Sequence, residues 1–443
     1  MSLSSSQTVP SPTGMPLSSS VSPKVVIGMI GLGTVGSGVF KIFRDQPEIF
    51  FQKIAVKDAS KTRTIDDLDL DLLSQDPHAV VSDPETQVIV ELMGGAELAK
   101  DLVVAAIQNG KHVVTANKEL IAKHGPELFE LARQHNVRIL FEGAVAGGIP
   151  IIMPLKLSLG ANRIEEIAGI LNGTTNYILT KMTQEGWSFE QALQEAQAKG
   201  FAEADPTNDV EGFDVGYKIS VLSLIAFKQV VDPLAIHREG ITHITAEDIE
   251  NARELGYVIK LIGLAKMTDD GRLDIRVHPM LIPNHHPLSN VQNEFNAIFV
   301  KGDAVGDVMF YGRGAGEMPT ASAVAADILA IATGLLKGNE PIPSMIIDPA
   351  IPAKLQPVGE TVNKYYLRLN TKDKPKVIGH LGNACGDAGV SLESVMQKGI
   401  NPDGTASIVL LTQAVREDQM NQALSAIREQ ESTSDIGCLL RVL

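Results

Sequence analysis

Val25-Val-Ile-Gly-Met-Ile30 runs straight into Gly31-Leu-Gly33-Thr-Val-Gly36-Ser-Gly38. The apolar run suits a central strand covered on both faces. In the turn, Gly31 permits a sharp change of direction and Gly33 lets backbone approach a pyrophosphate. Gly36 permits close packing of helix on strand, and the free N–H groups of the helix start, at Thr34 and Val35, face the phosphates. Glycines at this spacing are a weak signal alone. Their place, directly after a strand and before the helical pattern of Val39 to Phe43, implies a dinucleotide site. Cofactor choice is set near the end of the second strand, Lys53-Ile-Ala-Val56. A carboxylate there holds the ribose 2′-hydroxyl of NAD. Here Lys57 comes first, and a lysine can pair with a 2′-phosphate. The expectation is NADP(H), with NAD held by Asp58 as the alternative.

Outward from this turn, residues 88–92, 112–115 and 139–141 read as further strands, with helices over 96–109 and 125–135. Strands alternating with helices of this length imply βαβ units, a parallel sheet and an α/β domain over residues 24–150. Residues 1–23 hold nine serines, four prolines and no charged side chain, which reads as a disordered tail. A plastid transit peptide is the other reading, and the lack of arginine counts against it. Residues 151–340 mix helices (188–199, 214–227, 246–256) with strands (164–171, 273–279, 297–301), as in an α+β domain. Pro341, Pro343, Pro349, Pro352 and Pro357 mark a linker over 341–360. Residues 361–443 read βαββαβ, a ferredoxin-like and separable module.

The 443 residues carry a net charge of −15, which repels nucleic-acid phosphates, so no nucleic-acid partner is expected. No apolar run reaches the roughly 18 to 20 residues of a membrane span. The longest, Ala321 to Leu336, contains Ser322 and Asp327 and reads as a buried helix. Two cysteines, Cys385 and Cys438, exclude a disulfide framework and fit a reducing, cytoplasmic setting. They also lie far from the nucleotide-binding region. That argues against aldehyde oxidation, which needs a cysteine nucleophile.

Chemistry concentrates in Glu203-Ala-Asp205-Pro-Thr-Asn-Asp209-Val-Glu211-Gly-Phe-Asp214-Val-Gly-Tyr-Lys218. Asp214 and Lys218 share a helix face. In a cleft, Lys218 can protonate an alkoxide while Asp214 holds a polar substrate; on spacing alone an ordinary surface ion pair is the commoner case. Thr115-Ala-Asn117-Lys118 follows a strand of the first domain, where a lysine can point into the ligand crevice or merely sit exposed behind a helix-capping Asn. In Glu142-Gly-Ala-Val145-Ala-Gly147-Gly-Ile149-Pro150, small residues free carbonyls that, with Glu142, can ligate a hard monovalent cation. A hinge is an equal reading. Tyr177 and Lys181 repeat a reductase spacing without the matching glycine turn, and His285-His286 lacks further metal ligands.

Taken together, these stretches resemble homoserine dehydrogenase of the monofunctional type with a C-terminal ACT domain, from about Lys24 to Leu443. Leu171-Asn-Gly-Thr-Thr-Asn-Tyr-Ile178, Gly200-Phe-Ala-Glu-Ala-Asp-Pro206 and Gly312-Arg-Gly-Ala-Gly-Glu-Met-Pro-Thr-Ala-Ser-Ala-Val324 add to the match. The resemblance implies a Rossmann-type domain, an α+β substrate and dimerisation domain, and an ACT regulatory domain. It implies reversible NAD(P)-linked reduction of L-aspartate 4-semialdehyde to L-homoserine. Lys218 would be the proton donor, assisted by Lys118; Glu203 and Asp214 would bind the amino acid, with Gly173, Thr174 and Gly200 in its pocket. Gly31, Gly33, Thr34, Val35, Gly36, Lys57, Thr115, Lys118, Gly200 and Gly316 would meet the cofactor. Glu142, Val145, Gly147 and Ile149 would hold sodium, three of them through carbonyls. L-threonine as effector and a homodimer or homotetramer are also implied.

Overall fold

The computed structural model describes residues 24–338 (apart from 64 and 67), 351–398 and 404–443. The Ser-rich tail and the first part of the proline-marked linker lie outside the described residues.

The first sheet is wholly parallel, in the order β3-β2-β1-β4-β5-β6. Its strands are β1 (Val25–Ile30), β2 (Ile49–Ala55), β3 (Leu73–Ser74), β4 (Val88–Glu91), β5 (His112–Thr115) and β6 (Ile139–Leu140). Helices α1 (Thr34–Phe43), α2 (Pro77–Val81), α3 (Glu97–Gln108) and α4 (Lys118–Gln134) connect them. The strand order reverses between β1 and β4, the point where a doubly wound sheet opens a ligand crevice. Gly125-Pro126 reads as a helix start, yet α4 begins earlier, at Lys118. Asn117 supplies the signal there, its side chain accepting from Leu120 N at 3.0 Å, and Pro126 is carried inside the helix.

Residues of the central region form helices α5 (Gly173–Glu185), α6 (Phe189–Ala198), α7 (Thr207–Val210), α8 (Phe213–Phe227), α9 (Ala246–Glu254) and α10 (Glu317–Lys337). The strands there are β7 (Ile164–Ile170), β8 (Gln229–Val230), β9 (His237–Arg238), β10 (Tyr257–Met267), β11 (Leu273–Pro283), β12 (Phe295–Gly302) and β13 (Gly306–Arg313). Although α10 belongs by sequence to the central region, it packs on the first. Gly38 of α1 has no room for a side chain: a Cβ there would lie 2.7 Å from Ala321 Cβ. Ala321, Val324, Ile328 and Ile331 of α10 share one core with Ile27, Met29, Phe43 and Val90. By length and composition α10 is apolar enough to cross a membrane; its apolar side is buried in this core instead.

The proline-marked linker is not loose where it is described. Residues Ile351–Pro352 form β14, which pairs with β8, and Leu273 N donates to Lys354 O at 2.8 Å. Beyond it come β15 (Val362–Asn363), β16 (Tyr365–Lys372), α11 (Val377–Asp387), β17 (Leu392–Lys398), β18 (Thr405–Thr412), β19 (Val415–Arg416), α12 (Glu417–Arg428) and β20 (Thr433–Val442). The order β20-β16-β18-β17 is that of a ferredoxin-like βαββαβ unit. Its core, including Tyr365, Leu367, Leu381 and Leu424, lies under α11 and α12.

This unit does not stand apart. β20 pairs in parallel with β11, through Met280↔Arg441 and Leu281↔Val442, so one sheet runs from β13 through the central region to β17. Alternate residues of β16 face the other way: Tyr366 Oη and Arg368 Nε both donate to Asp248 Oδ1 of α9, at 3.0 and 2.7 Å.

Candidate active site

A cleft of about 850 Å³ lies between the two lobes. Its roof is the C-terminal edge of the parallel sheet, Met93–Gly95 after β4 and Ala116–Lys118 after β5. Its floor is the start of α5, the loop around Gly200 to Asp209, and the first turns of α8.

At its centre is Asp214. Gly212, left-handed at φ 77°, turns the chain into α8 so that Asp214 falls in its first turn. The Lys218 ammonium donates to Asp214 Oδ2 at 2.7 Å and to Leu171 O at 2.7 Å. From the other lobe, Lys118 Nζ comes within 3.2 Å of Asp214 Oδ1. The Asp214 and Lys218 side chains are only 11% and 13% exposed, so this is no surface ion pair. Burial pushes the Asp214 carboxyl up, but Lys218, Lys118 and a hydrogen bond from Asn172 outweigh it and hold the group at about 2. The aspartate is therefore a fixed negative charge between two ammonium groups. Lys218 has a third hydrogen left for a ligand.

Asp209 and Asn172 join the cluster, although neither was singled out from the sequence. Asn172 Nδ2 donates to Asp209 Oδ1 at 2.7 Å and to Asp214 Oδ2 at 3.0 Å. Burial and the neighbouring Asp214 push the Asp209 carboxyl above its ordinary value, against the pull of Asn172. Asp209 stands in the acidic stretch quoted above, and Asn172 precedes a helix as capping residues do; the link between them is tertiary and leaves no spacing to read.

Of the other expected site residues, Gly173, Thr174, Gly200, Glu203 and Gly316 all line the cleft. Thr174 donates its hydroxyl to Phe201 O at 2.6 Å, which leaves only its lone pairs for a ligand. Gly200 is left-handed at φ 74° with open space where a side chain would be, and Gly316, at φ 118°, precedes α10. Glu203 is exposed at the mouth. The glycine turn lies one strand over, at the end of β1. Gly31 has φ 102°, and a Cβ on it would lie 2.6 Å from Leu92 O. Gly36 packs beneath the Gly31 carbonyl. Gly33, Thr34 and half-buried Val35 open α1, and no atom lies within 4 Å above Gly33. That bare helix start fits a pyrophosphate.

Two of the expected site residues have their side chains engaged within the protein. Thr115 is fully buried and does not line the cleft. Its hydroxyl donates to Glu91 Oε2 at 2.6 Å and accepts from Asn117 N at 3.0 Å. Burial pushes the Glu91 carboxyl up to about 7, and Glu91 also takes Met93 N at 2.8 Å. Thr115 thus ties together the two strand ends that form the roof.

The second is Glu142, whose carboxylate accepts the N–H groups of Ile151, Ile152 and Met153 at 2.5 to 2.8 Å. It anchors a helical turn, with Oε1 taking two of these bonds and Oε2 one. The carbonyls of Val145, Gly147 and Ile149 accept no backbone N–H among the described residues.

Lys57 is exposed at the end of β2. Asp58 beside it is turned back on its own loop, accepting from Ser60 N at 2.8 Å and Ser60 Oγ at 2.6 Å. Arg63 Nη2 donates to Asp58 O at 2.7 Å, which brings a second cation to the loop.

Known proteins share both lobes. Residues 31–142 match the family described as homoserine dehydrogenase, NAD binding domain, and residues 150–329 match homoserine dehydrogenase. A homoserine dehydrogenase of Synechocystis sp. is 45% identical over 435 residues, covering 95% of this chain and 99% of the relative. The crystal structure of a homoserine dehydrogenase from Thiobacillus denitrificans superposes with a TM-score of 0.89 at 40% identity, covering 95% of this chain and 98% of that one. A hyperthermophilic archaeal homoserine dehydrogenase mutant in complex with NADPH matches 73% of this chain and 99% of its own, at 28% identity and a TM-score of 0.62. With relatives this similar along nearly its whole length, the chain belongs to the homoserine dehydrogenase family.

Proposed function

We propose that this chain catalyses the reversible reduction of L-aspartate 4-semialdehyde to L-homoserine. The observation that carries this reading is the Lys118–Asp214–Lys218 cluster at the centre of the cleft, with Asp214 and Lys218 nearly buried and Lys118 reaching them from the other lobe. The nicotinamide cofactor supplies the hydride when bound. Hydride addition to an aldehyde leaves an alkoxide, and Lys218, with one N–H hydrogen unused, is placed to protonate that oxygen. Asp214 keeps its charge through the cycle and so offsets half the charge of the two lysines. Lys118, from the cofactor lobe, assists at the junction of the two ligands. Glu203 and Asp209 offer carboxylates to the α-ammonium group. Among the described residues no cysteine lines the cleft, in keeping with an alcohol product and against acyl-enzyme chemistry.

Gly31, Gly33, Thr34, Val35 and Gly36 would hold the pyrophosphate, with Gly316 and Gly200 nearer the nicotinamide. NADP(H) is the preferred cofactor in this reading. Lys57 is exposed and free to meet a 2′-phosphate and Arg63 lies on the same loop, while Ser60 takes Oδ1 of Asp58 and leaves only Oδ2 for a ribose hydroxyl. A monovalent cation such as sodium would rest on the carbonyls of Val145, Gly147 and Ile149 without the Glu142 carboxylate. The C-terminal unit is read as an ACT-like sensor of L-threonine, its support being the ferredoxin-like topology and the shared sheet. A dimer or tetramer and a reducing, cytoplasmic setting complete the proposal; both cysteines are free and buried.

Initial rates of the full chain with aspartate 4-semialdehyde test all of this. NADPH should be consumed faster than NADH, and L-threonine should slow the reaction. No NADPH loss would overturn the activity, an NADH preference the cofactor choice, and indifference to threonine the sensor.

A further inference from the structure

Asn172 stands where β7 gives way to α5, at the floor of the cleft, and is almost fully buried. Its Oδ1 accepts from Thr175 N at 2.8 Å and from Thr175 Oγ1 at 3.0 Å, which caps α5. Its Nδ2 donates one hydrogen to Asp209 and the other to Asp214. The amide has no hydrogen-bonding hydrogen left over. Capping explains only half of this. Asn, Asp and Ser cap helices about equally well, but of the three only Asn carries a pair of N–H donors.

Of the two carboxylates that those donors hold, only Asp214 has other partners among the described residues. Two carboxylates that reach one nitrogen repel each other. Lys118 and Lys218 both pair with Asp214, and neither pairs with Asp209 among the described residues. Asp209 belongs to α7, a helix of a single turn. Only its Oδ1 is hydrogen-bonded, to Asn172, so Oδ2 remains for a ligand in the cleft.

We propose that Asn172 is a positioning residue whose forked amide fixes Asp209 beside Asp214, so that the free oxygen of Asp209 receives the α-ammonium group of the amino-acid substrate. This rests on the reading of the cleft as a homoserine site. The division of labour follows from the contacts. Asp214 serves the lysines, Asp209 serves the substrate, and Asn172 keeps the two from separating. The charged groups around Asp209 are Asp214 and Lys218 on α8, Lys118 on α4, and Glu203 and Asp205 on the preceding loop. Removing the amide takes away a donor to the ionised form of Asp209. The acid limb of kcat/KM for homoserine then moves to higher pH.

The test is Asn172→Ser, which retains a helix cap and loses the fork. KM for homoserine should rise about 10- to 100-fold, the worth of a hydrogen bond to a charged group, with kcat changed less. NADPH binding and the melting temperature should stay near wild type. In a double-mutant cycle, Asn172→Ser combined with Asp209→Asn should be little worse than Asp209→Asn alone. Thr175→Val, which weakens the cap but spares the fork, should lower stability without moving KM. A folded Asn172→Ser with wild-type KM and pH profile overturns the inference, as does full additivity in the cycle. A wild-type chain inert towards homoserine overturns the functional reading instead, and this inference with it.

Discussion

Two buried ionic clusters in this molecule look alike on paper and are built differently. In the cleft, one aspartate faces two lysines. Where the C-terminal unit meets the central region, the cations are arginines. Arg368 grips Asp248 through Nε at 2.7 Å and Nη2 at 3.0 Å. Arg441 grips Glu417 through its fork, and its Nη1 lies 2.8 Å from Glu239 Oε1. Arg276 holds Asp274 with two bonds and reaches Asn363 and Thr361. A guanidinium is planar, permanently charged and matched to a carboxylate, whereas an ammonium is a compact donor that gives up a proton more readily. The junction therefore has geometry to keep, and in the proposed reaction the cleft has a proton to move. The cleft lysines retain unused hydrogens facing a cavity, whereas the arginine forks at the junction close on carboxylates.

The largest expected effect breaks the junction. Asp248→Ala takes the two-pronged partner from Arg368, which is 6% exposed and keeps a 3.3 Å ion pair only with Glu247, and should cost about 3–5 kcal/mol of stability, read as a lower melting or denaturation midpoint. Turnover below that midpoint should be nearly unchanged; a stability loss under 1 kcal/mol would mean the pair is not holding the units together. The same cluster sets an acid limit. Burial pushes the Asp248 carboxyl up, but Arg368 and Thr245 hold it below its ordinary value. Its contribution is thus present above the unfolded value of about 3.8 and lost as pH falls through the lower folded value.

Next comes the cleft. Lys218→Ala should cut turnover by ~10²-fold or more with NADPH binding and melting temperature retained. Near-normal turnover would remove the proton donor from the proposal and erase the contrast with the junction. The smallest effect is at the exposed rim. Lys398→Ala removes a 2.7 Å pair with Glu254 across the same junction, both partners more than a third exposed, and should change stability by less than about 1 kcal/mol. A larger loss would mean that burial is not what separates strong from weak contacts here.

Legibility in the sequence followed the range of the contacts. The glycine turn, the parallel sheet and the ferredoxin-like strand order were readable because each depends on neighbours a few residues apart. The Asp214–Lys218 spacing was readable as well, but not its burial nor the approach of Lys118 from across the cleft. Gly125-Pro126 misled because a break signal outweighed the Asn117 cap. Nor does anything in the surroundings of Glu142 announce that its carboxylate closes on Ile151 to Met153. The C-terminal unit read as separable because prolines precede it. In fact its last strand is hydrogen-bonded into the central sheet and its first strand is pinned to α9. Truncation before residue 361 would thus expose the buried Arg276 and Asp248 as well as removing the proposed sensor.

The return of α10 to the first lobe also governs how the chain is made. The nucleotide-binding core is begun by residue 25 and closed by Ala321 to Ala332, nearly 300 residues later. During synthesis the first lobe has an open apolar side until α10 emerges, so its folding waits on that of the central region. A fragment ending near residue 150 holds every strand of the parallel sheet and still lacks one wall. It should behave as an aggregation-prone intermediate rather than as a domain.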